Sequence, residues 1–296
     1  MGLLLEQLLN GLQLGFVYAL IALGYTMVYG IIKLINFAHG DVFMVGAFVA
    51  FFSFASWKMP WSVAFLTAMA ACALSGVLIE RLAYRPLRIK AAPRMSALIT
   101  AIGVSLFLEY FCSLGFVFGP NFRVVPSFFA EHNWRVGGVA ITSTQLIVIS
   151  IVVIILLILQ FVVYKTKLGK AMRAVSFDQD TARLMGINVN LVISSTFAIG
   201  SALAAAAGGL FAVAYPLIFP FMGIMPGLKA FTAAVLGGIG SIPGAVLGAL
   251  IMGQAEVITA AYITTDFRDA VAFSILIIVL LFKPAGLLGK AGPEKV

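Results

Sequence analysis

Long apolar runs without a single charge constrain this chain more than any other feature. They extend from Gln7 to Ile32, Trp61 to Ile79, Val136 to Tyr164, Leu184 to Leu228 and Ala230 to Ala255. About 20 apolar residues cross the core of a bilayer as a helix, so several of these runs allow one crossing and the fourth allows two. Their lack of short alternating segments argues against a membrane β-barrel.

The composition supports membrane spans. The mean hydropathy is +1.11, and only 10% of the 296 residues are charged. A soluble surface requires far more charge. We therefore predict an all-α fold, a polytopic transmembrane bundle of about 8–10 segments that forms a single domain over residues 1–296.

Two connections are rich in Lys and Arg, and they set the orientation. The first holds Arg81, Arg85, Arg88, Lys90 and Arg94, and the second holds Lys165, Lys167, Lys170, Arg173 and Arg183. Because cytoplasmic loops collect basic residues, both connections face the cytoplasm, and the N-terminus and residues 119–143 face outward. The predicted spans are 10–31, 40–57, 61–80, 96–118, 144–164 and 190–214. A basic chain can also bind nucleic acid, but these basic residues flank membrane spans and no soluble domain carries them, so we do not expect nucleic-acid binding.

Residues 229–262 need a different architecture. The sequence "GGIGSIPG", Gly237–Gly244, lies in their middle, where glycine and proline break a helix. The segment is short for two full spans, so we expect a re-entrant hairpin or two short broken helices covered by protein or water. Elsewhere, small residues recur four apart, which predicts close helix packing, within the chain or alternatively between subunits. They are Gly11, Gly15 and Ala19; Gly200, Ala204, Gly208 and Ala212; and Gly244 and Gly248.

No catalytic or cofactor motif is visible in the sequence. There is no G-x-x-x-x-G-K-[ST] phosphate loop. His39 and His132 are the two histidines, and neither has a metal-binding partner at useful spacing. No nucleophile lies beside a base in a recognisable pattern. We therefore predict a protein that is not an enzyme, with no cofactor or metal in this chain.

Polar residues within the apolar runs are candidates for a transport path or gate. Glu109 and Glu256 each follow a long uncharged stretch, and carboxylates at such depth usually face the bundle interior or a wet cavity. The alternative is a structural partner on a neighbouring helix. Asn36, His39 and Asp41 lie between the first two spans, where Asn36 and Asp41 are suited either to cap helix ends or to form a gate or a partner contact.

The residue pattern of the loop at about 165–189 predicts a short amphipathic helix. Gly186 supplies its stop, and Asp178 and Arg183 lie away from its apolar face. That face would hold Ala174, Phe177, Thr181 and Leu184, with Met185 beside it. Such a helix either lies among lipid headgroups or docks into a groove on a partner protein.

The end of this loop resembles a known signature. "DTARLMG", Asp180–Gly186, is similar to a degenerate form of the E-A-A-x-x-x-G sequence of ABC importer permeases. Asp180 stands for the acidic residue, Ala182 for the second alanine and Gly186 for the glycine, whereas Thr181 departs from the first alanine. The resemblance implies that the loop is a coupling helix that fits a cleft on an ATPase subunit. Its residues are then Ala174, Phe177, Asp178, Asp180, Thr181, Ala182, Leu184, Met185 and Gly186.

Three longer stretches resemble the high-affinity branched-chain amino acid permeases, specifically the first of their two paired permease subunits. They are "GYTMVYGIIKLINFAHGDVFMVGAF" (Gly24–Phe48), "ERLAYRPLR" (Glu80–Arg88) and "LKAFTAAVLGGIGSIPGAVLGALIMG" (Leu228–Gly253). The resemblance runs in matching order from about Leu8 to Gly289.

The resemblance implies a multi-pass subunit of the bacterial cytoplasmic membrane, in contact with lipid, that imports leucine, isoleucine and valine by alternating access. Its implied partners are a second homologous permease, two ABC ATPases that bind ATP and Mg²⁺, and a periplasmic substrate-binding protein. Permeases for urea, short amides or other amino acids look much the same, so the substrate stays open. A self-contained secondary transporter, with Glu109 or Glu256 as its ion-coupling group, is the remaining alternative.

Overall fold

The computed structural model describes residues 2–129, 132–136 and 139–289, and it is dominated by helices. In chain order these are α1 Gly2–Ile32, α2 His39–Ala55, α3 Trp61–Ile79, α4 Arg85–Ile89, α5 Arg94–Ser113, α6 Ser143–Lys165, α7 Lys167–Phe177, α8 Gln179–Leu184, α9 Val189–Ala214, α10 Ile224–Gly237, α11 Ile242–Tyr262 and α12 Arg268–Phe282. Within the described residues, six of these helices (α3 being continuous with α4) are long and apolar enough to cross a membrane. The predicted polytopic helical bundle is confirmed.

Most predicted span limits agree with the helices, and two do not. α6 and α9 begin and end within one residue of the predicted limits. α1 begins at Gly2 rather than at residue 10, and α5 ends at Ser113, well before the predicted residue 118. The apolar run continues past Ser113 as a turn, in which the N–H groups of Val117 and Gly119 both donate to the Leu114 carbonyl. Hydropathy alone does not separate such a turn from a helix.

The third span continues without interruption into α4 through one π-helical turn, Glu80–Tyr84. Pro86 lies in the first turn of α4, and a proline has no N–H to donate to the preceding turn. The N–H of Arg85 instead reaches back five residues to the carbonyl of Glu80. The wider turn brings Glu80 and Tyr84 inward, where both are buried.

α2 and α10 have 17 and 14 residues, too few at about 1.5 Å each to cross about 30 Å of hydrocarbon. The full span predicted over residues 40–57 is therefore wrong, although its limits lie close to those of α2. Their N-termini meet inside the bundle. A Cβ on Gly40, in the first turn of α2, would lie 2.6 Å from the carbonyl oxygen of Gly223, which precedes α10. A Cβ on Gly227 would lie 2.9 Å from Gly40 Cα. Glycine is required at this crossing because the two backbones touch.

The helix break predicted in "GGIGSIPG" is confirmed. α10 ends at Gly237, Gly238 has a φ of +106°, and the Ser241 hydroxyl accepts from the N–H of Gly244 at the start of α11. α11 is longer than the short helix that the sequence predicts here. Its 21 residues are enough to cross a membrane. α12 then runs back alongside α10 and α11.

Small residues bring the helices of this chain close together. This agrees with the first of the two alternatives predicted from their spacing, packing within the chain. A Cβ on Gly15 of α1 would lie 2.9 Å from the Cα of Leu250 in α11, and one on Gly253 would lie 2.4 Å from the backbone nitrogen of Gly15. Gly200 and Gly208 of α9 pack against α1 and α2. These contacts place α1, α9 and α11 at the centre of the fold.

The connection between α5 and α6 holds small antiparallel ribbons. β2 (Asn133–Val136) pairs with β3 (Val139–Thr142), and β1 (Arg123–Val124) pairs with β4 (Leu217–Ile218), which follows α9. β3 leads directly into α6 through a capping box formed by Thr142 and Gln145. The charge distribution predicts that these ribbons lie at the outer end of the bundle, where α1 also begins.

Candidate functional site

The loop between α6 and α9 forms two short helices, not the single amphipathic helix that the sequence predicts. α7 ends at Phe177 and α8 extends over Gln179–Leu184. Asp178 separates them, because its backbone is extended and its Oδ1 accepts from the N–H groups of Asp180 and Thr181 at 2.9 and 2.8 Å. A side-chain cap of this kind starts a new helix. The prediction of one continuous helix is wrong, because periodicity does not register a cap.

One face of the loop is fixed to the bundle. Met172 and Val175 of α7 and Ala182 of α8 are buried. The side-chain amide of Gln179 donates to the carbonyl oxygen of Ile31, at the end of α1, over 3.1 Å. α7 contacts α1, α6 and α9. The loop is therefore packed against three of the long apolar helices.

The opposite face exposes large apolar side chains. Phe177 is 95% exposed, Leu184 88% and Met185 78%, and we call these three residues the loop-tip cluster. Thr181 is also exposed, whereas Ala174 is half-buried and does not share the predicted apolar face. Exposed apolar side chains on an otherwise polar loop mark a contact surface for a protein or a membrane.

The loop ends in a backbone conformation that favours glycine. Gly186 has a φ of +81°, and a Cβ built there would meet no atom within 4 Å. The exposed carboxylate of Asp180 accepts from Arg183 at 3.1 Å. The Asn188 side chain then accepts from the N–H of Leu191 and caps α9. The predicted helix stop at Gly186 is confirmed.

A buried polar cluster that sequence reasoning missed lies at the base of this loop. Glu80 is fully buried in the π-helical turn, and its two oxygens accept from Arg88 at 3.1 Å and from the Ser194 hydroxyl at 2.7 Å. Arg88 also donates to the Asn190 side chain at 2.9 Å. The available signal was Glu80 itself, a lone acid at the end of an apolar run and next to the first basic connection.

Asn36 and Asp41 do not cap a helix, so that prediction is wrong. Ala38 is the residue that precedes α2, and its side chain makes no cap hydrogen bond. The Asn36 side chain instead accepts from the Tyr84 hydroxyl at 3.0 Å. Asp41, in the first turn of α2, accepts from the Ser105 hydroxyl of α5 at 2.5 Å. Both groups join helices rather than end them.

His39 and Glu109 are both buried, at 1% and 6% exposure. The His39 ring lies against Tyr25, with 4.7 Å between ring centroids, and occupies space that a Cβ on Gly24 would fill. The carboxyl group of Glu109 interacts with that of Asp41 across the α2–α5 contact. The structure thus brings Asp41 and Glu109 together and places His39 against α1. Their roles as path or gate residues stay predictions.

Glu256 has structural partners. Its Oε2 accepts from Lys229 Nζ at 2.8 Å and from the Tyr18 hydroxyl at 3.3 Å. Lys229 also contacts Asp269 at 2.7 Å, so one cation lies between two carboxylates. Four elements, α1, α10, α11 and α12, meet at these side chains. Sequence reasoning missed Lys229, the single charge between two of the uncharged runs.

A cavity of about 680 Å³ opens between α1, α6, α9, α11 and α12, at the ends that lie beside the β-strands. Gln7, Asn10 and Gln13 line it from α1 and Arg268 lines it from α12. Sequence reasoning missed these side chains as well. Their signal is the three-residue spacing of amides along one face of an otherwise apolar helix.

Buried polar groups inside spans, short helices that meet within the bundle and an open polar cavity are typical of membrane transport proteins. The fold and its polar groups therefore define the protein as a membrane transport protein.

The sequence comparisons give the family. A model described as "Branched-chain amino acid transport system / permease component" matches residues 7–280. The chain is 45% identical over 305 residues to the high-affinity branched-chain amino acid transport system permease protein LivH of Escherichia coli strain K12, covering 99% of this chain and 97% of that one. It is 43% identical over 302 residues to BraD of Pseudomonas aeruginosa, covering 99% and 98%. The chain belongs to the branched-chain amino acid transport permease family, and the resemblance read from the sequence is confirmed.

A solved structure supports the fold alone. A chain of PsaBC from Streptococcus pneumoniae, in complex with a Fab, matches with a TM-score of 0.52 at 12% identity, covering 93% of this chain and 91% of that one. Together with the six long apolar helices, family membership identifies a multi-pass membrane protein with a transport role.

Proposed function

We propose that this chain is the membrane-spanning permease subunit of an ABC importer that carries leucine, isoleucine and valine into the cell across the cytoplasmic membrane. Membership in the branched-chain amino acid transport permease family supports this substrate class. The chain would pair with a homologous permease and receive its substrate from a periplasmic binding protein. ATP and Mg²⁺ would bind to separate ATPase subunits, so that this chain performs no covalent chemistry.

The loop-tip cluster carries the proposal. Three large apolar side chains, Phe177, Leu184 and Met185, are almost fully exposed at the end predicted to face the cytoplasm. Their burial against a partner would gain about 25 cal/mol per Å² of apolar surface removed from water. We propose that the loop-tip cluster docks into a groove on an ATPase subunit, since the adjoining sequence resembles the coupling signature of ABC importers.

The other face of the loop suggests how ATP binding and hydrolysis would be converted into alternating access. Gln179 links α8 to the end of α1, and the Glu80–Arg88 cluster links the base of α9 to the π-helical turn. Movement of the docked ATPases would displace α7 and α8 together with these helices. The bundle would then open to one side of the membrane and close to the other.

The first test is co-purification. Phe177→Asp with Leu184→Asp should reduce ATPase recovery with this chain at least tenfold, because two charges would be buried in an apolar contact. ATP-driven leucine uptake by proteoliposomes containing the binding protein should fall with it. Phe116→Asp is the matched control, since Phe116 is 80% exposed but lies in the connection that leaves α5. Normal ATPase recovery and uptake with the double variant would contradict the proposed contact.

Gly186 provides an independent test, because its constraint comes from its own backbone conformation and not from contact with a neighbouring residue. Gly186→Val should reduce ATP-driven uptake severalfold, since a β-branched residue at a φ of +81° costs on the order of 1–2 kcal/mol and shifts the end of the loop. Gly186→Asn should retain most of the uptake, because asparagine adopts this conformation more readily. Equal uptake by the two variants would show that the glycine conformation is not needed for coupling.

Competition for uptake decides the substrate. Valine and isoleucine should each compete with leucine, while urea and short amides should not. Uptake by liposomes with a proton or sodium gradient but no ATP would favour a secondary transporter instead.

A further inference from the structure

The cavity at the outer end of the bundle has the size of a binding site for a small molecule. Its volume of about 680 Å³ falls within the usual range of about 300–1,000 Å³ for such sites. Its wall comes from five helices of this chain and from strand residues, which are Val124 of β1, Asn133 of β2 and Thr142 of β3.

Polar side chains reach into the cavity from α1. Gln7, Asn10 and Gln13 follow one another three residues apart, so they share a face of the helix. The Gln145 amide donates to Asn10 at 2.6 Å, and Asn10 donates to Gln7 at 3.4 Å. Gln13 is different: its side chain is only 9% exposed, lines the cavity and has no hydrogen bond to any other residue that the structure describes. Neither polar atom of the Gln13 side chain is fully enclosed, so its amide is open to the cavity and available to a polar ligand.

The charge of the lining selects the kind of ligand. Arg268 lines the cavity beside Tyr215, and the described lining residues include no carboxylate and no second cation. A guanidinium in a niche without a carboxylate is suited to a bidentate bond with an incoming carboxylate. Apolar side chains complete the wall, among them Val213, Val257 and Ala260.

We propose that this cavity binds a small aliphatic amino acid at the outer entrance to the transport path, within this chain. Arg268 holds the carboxylate, and the amide oxygens along α1 accept from the ammonium group, since a carbonyl oxygen has two lone pairs. The Gln13 amide completes its hydrogen bonds with the ligand, and the apolar wall contacts the aliphatic side chain. The inference rests on the proposed function for the identity of the substrate.

Direct binding tests this assignment. The intact complex, purified through a tag on this chain and placed in lipid nanodiscs without the binding protein, is titrated with radiolabelled leucine. Isocaproate, which keeps the carboxylate, should compete at least about tenfold better than leucinamide, which lacks it. Arg268→Gln and Gln13→Leu should each weaken leucine binding about tenfold or more, and Arg268→Lys should fall between Arg268→Gln and the unsubstituted chain.

Two matched variants serve as controls. Arg135→Gln removes an exposed arginine of β2, and Gln160→Leu removes an exposed amide of α6, and neither residue lines the cavity. Both should bind leucine like the unsubstituted complex. Monodisperse elution of each variant separates weaker binding from failure to fold, and Gln13→Leu, which keeps the side-chain size, tests the cavity if Arg268→Gln does not fold.

Three results would overturn the inference: no leucine binding to the unsubstituted complex, leucinamide competing as well as isocaproate, or full affinity in both Arg268→Gln and Gln13→Leu. ATP-driven uptake is measured on the same preparation in liposomes. Normal uptake with any of these results would reject the cavity and retain the importer, whereas absent uptake with intact leucine binding would reject the proposed function instead.

Discussion

Replacing Lys229 with methionine is expected to cost about 3–5 kcal/mol of folding free energy, because it leaves the buried carboxylate of Glu256 without its cation. Lys229 Nζ lies 2.8 Å from Glu256 and 2.7 Å from Asp269. Glu256 is only 3% exposed, and its remaining partner is the Tyr18 hydroxyl. A carboxylate at this depth has little access to water, so the loss is far larger than for an ion pair on a surface.

The yield of monodisperse protein and its midpoint of thermal aggregation in detergent measure this effect. Lys229→Met should lower both strongly. The double variant Lys229→Met with Glu256→Gln should recover much of the loss, because the amide removes the unpaired charge and Asp269 is 43% exposed. Lys90→Met, at an exposed lysine outside the cluster, is the control. If Lys229→Met is as stable as this control, the ion pair does not hold the four helices together.

The ion cluster illustrates what the sequence could and could not predict about the candidate site. Glu256 was recognisable as an intramembrane acid, and Lys229 interrupts an otherwise uncharged stretch. A lone cation and a lone anion within one apolar region would be expected to pair. Asp269 and Tyr18 were not predictable in the same way, because their approach depends on how α1 and α12 pack around α11.

For the fold, the long spans were predictable, and the contact between the short helices α2 and α10 was not. α6 and α9 follow from length and hydropathy, since a bilayer sets the number of residues in a full crossing. The meeting of α2 and α10 depends on Gly40 and Gly223, whose backbones touch over a long separation in sequence. Glycine content indicates that some close approach exists, but it does not identify the partner.

The loop after α6 shows a third limit. Its apolar periodicity was real, yet the Asp178 cap divided the helix, and the exposed apolar face was reduced to Phe177, Leu184 and Met185. Aspartate competes with the helix backbone for hydrogen bonds, so an aspartate inside a predicted helix is also a possible start. The resemblance to the coupling signature gives no information about this shape.

Replacing Gly208 with alanine should destabilise the α2–α9 contact by about 1–3 kcal/mol, although alanine favours helix formation by about 1 kcal/mol relative to glycine. The added Cβ would lie 2.1 Å from the carbonyl oxygen of Phe43 and 2.9 Å from the backbone nitrogen of Ala47. Both are backbone atoms, so no side-chain rotation relieves the clash. α2 would have to move away from α9, and its N-terminus would move with it from the crossing with α10.

Gly103→Ala is the matched control for this substitution. Gly103 is exposed on α5, and a Cβ there meets no atom within 4 Å, so the variant should be as stable as the unsubstituted chain or slightly more stable. The thermal aggregation midpoint of Gly208→Ala should lie several degrees below that of Gly103→Ala, and its ATP-driven uptake should be lower. Equal midpoints would mean that α2 and α9 separate at little cost. The α2–α10 crossing would then be an adjustable joint, not a fixed point of the bundle, because the helix that positions Gly40 would be free to shift.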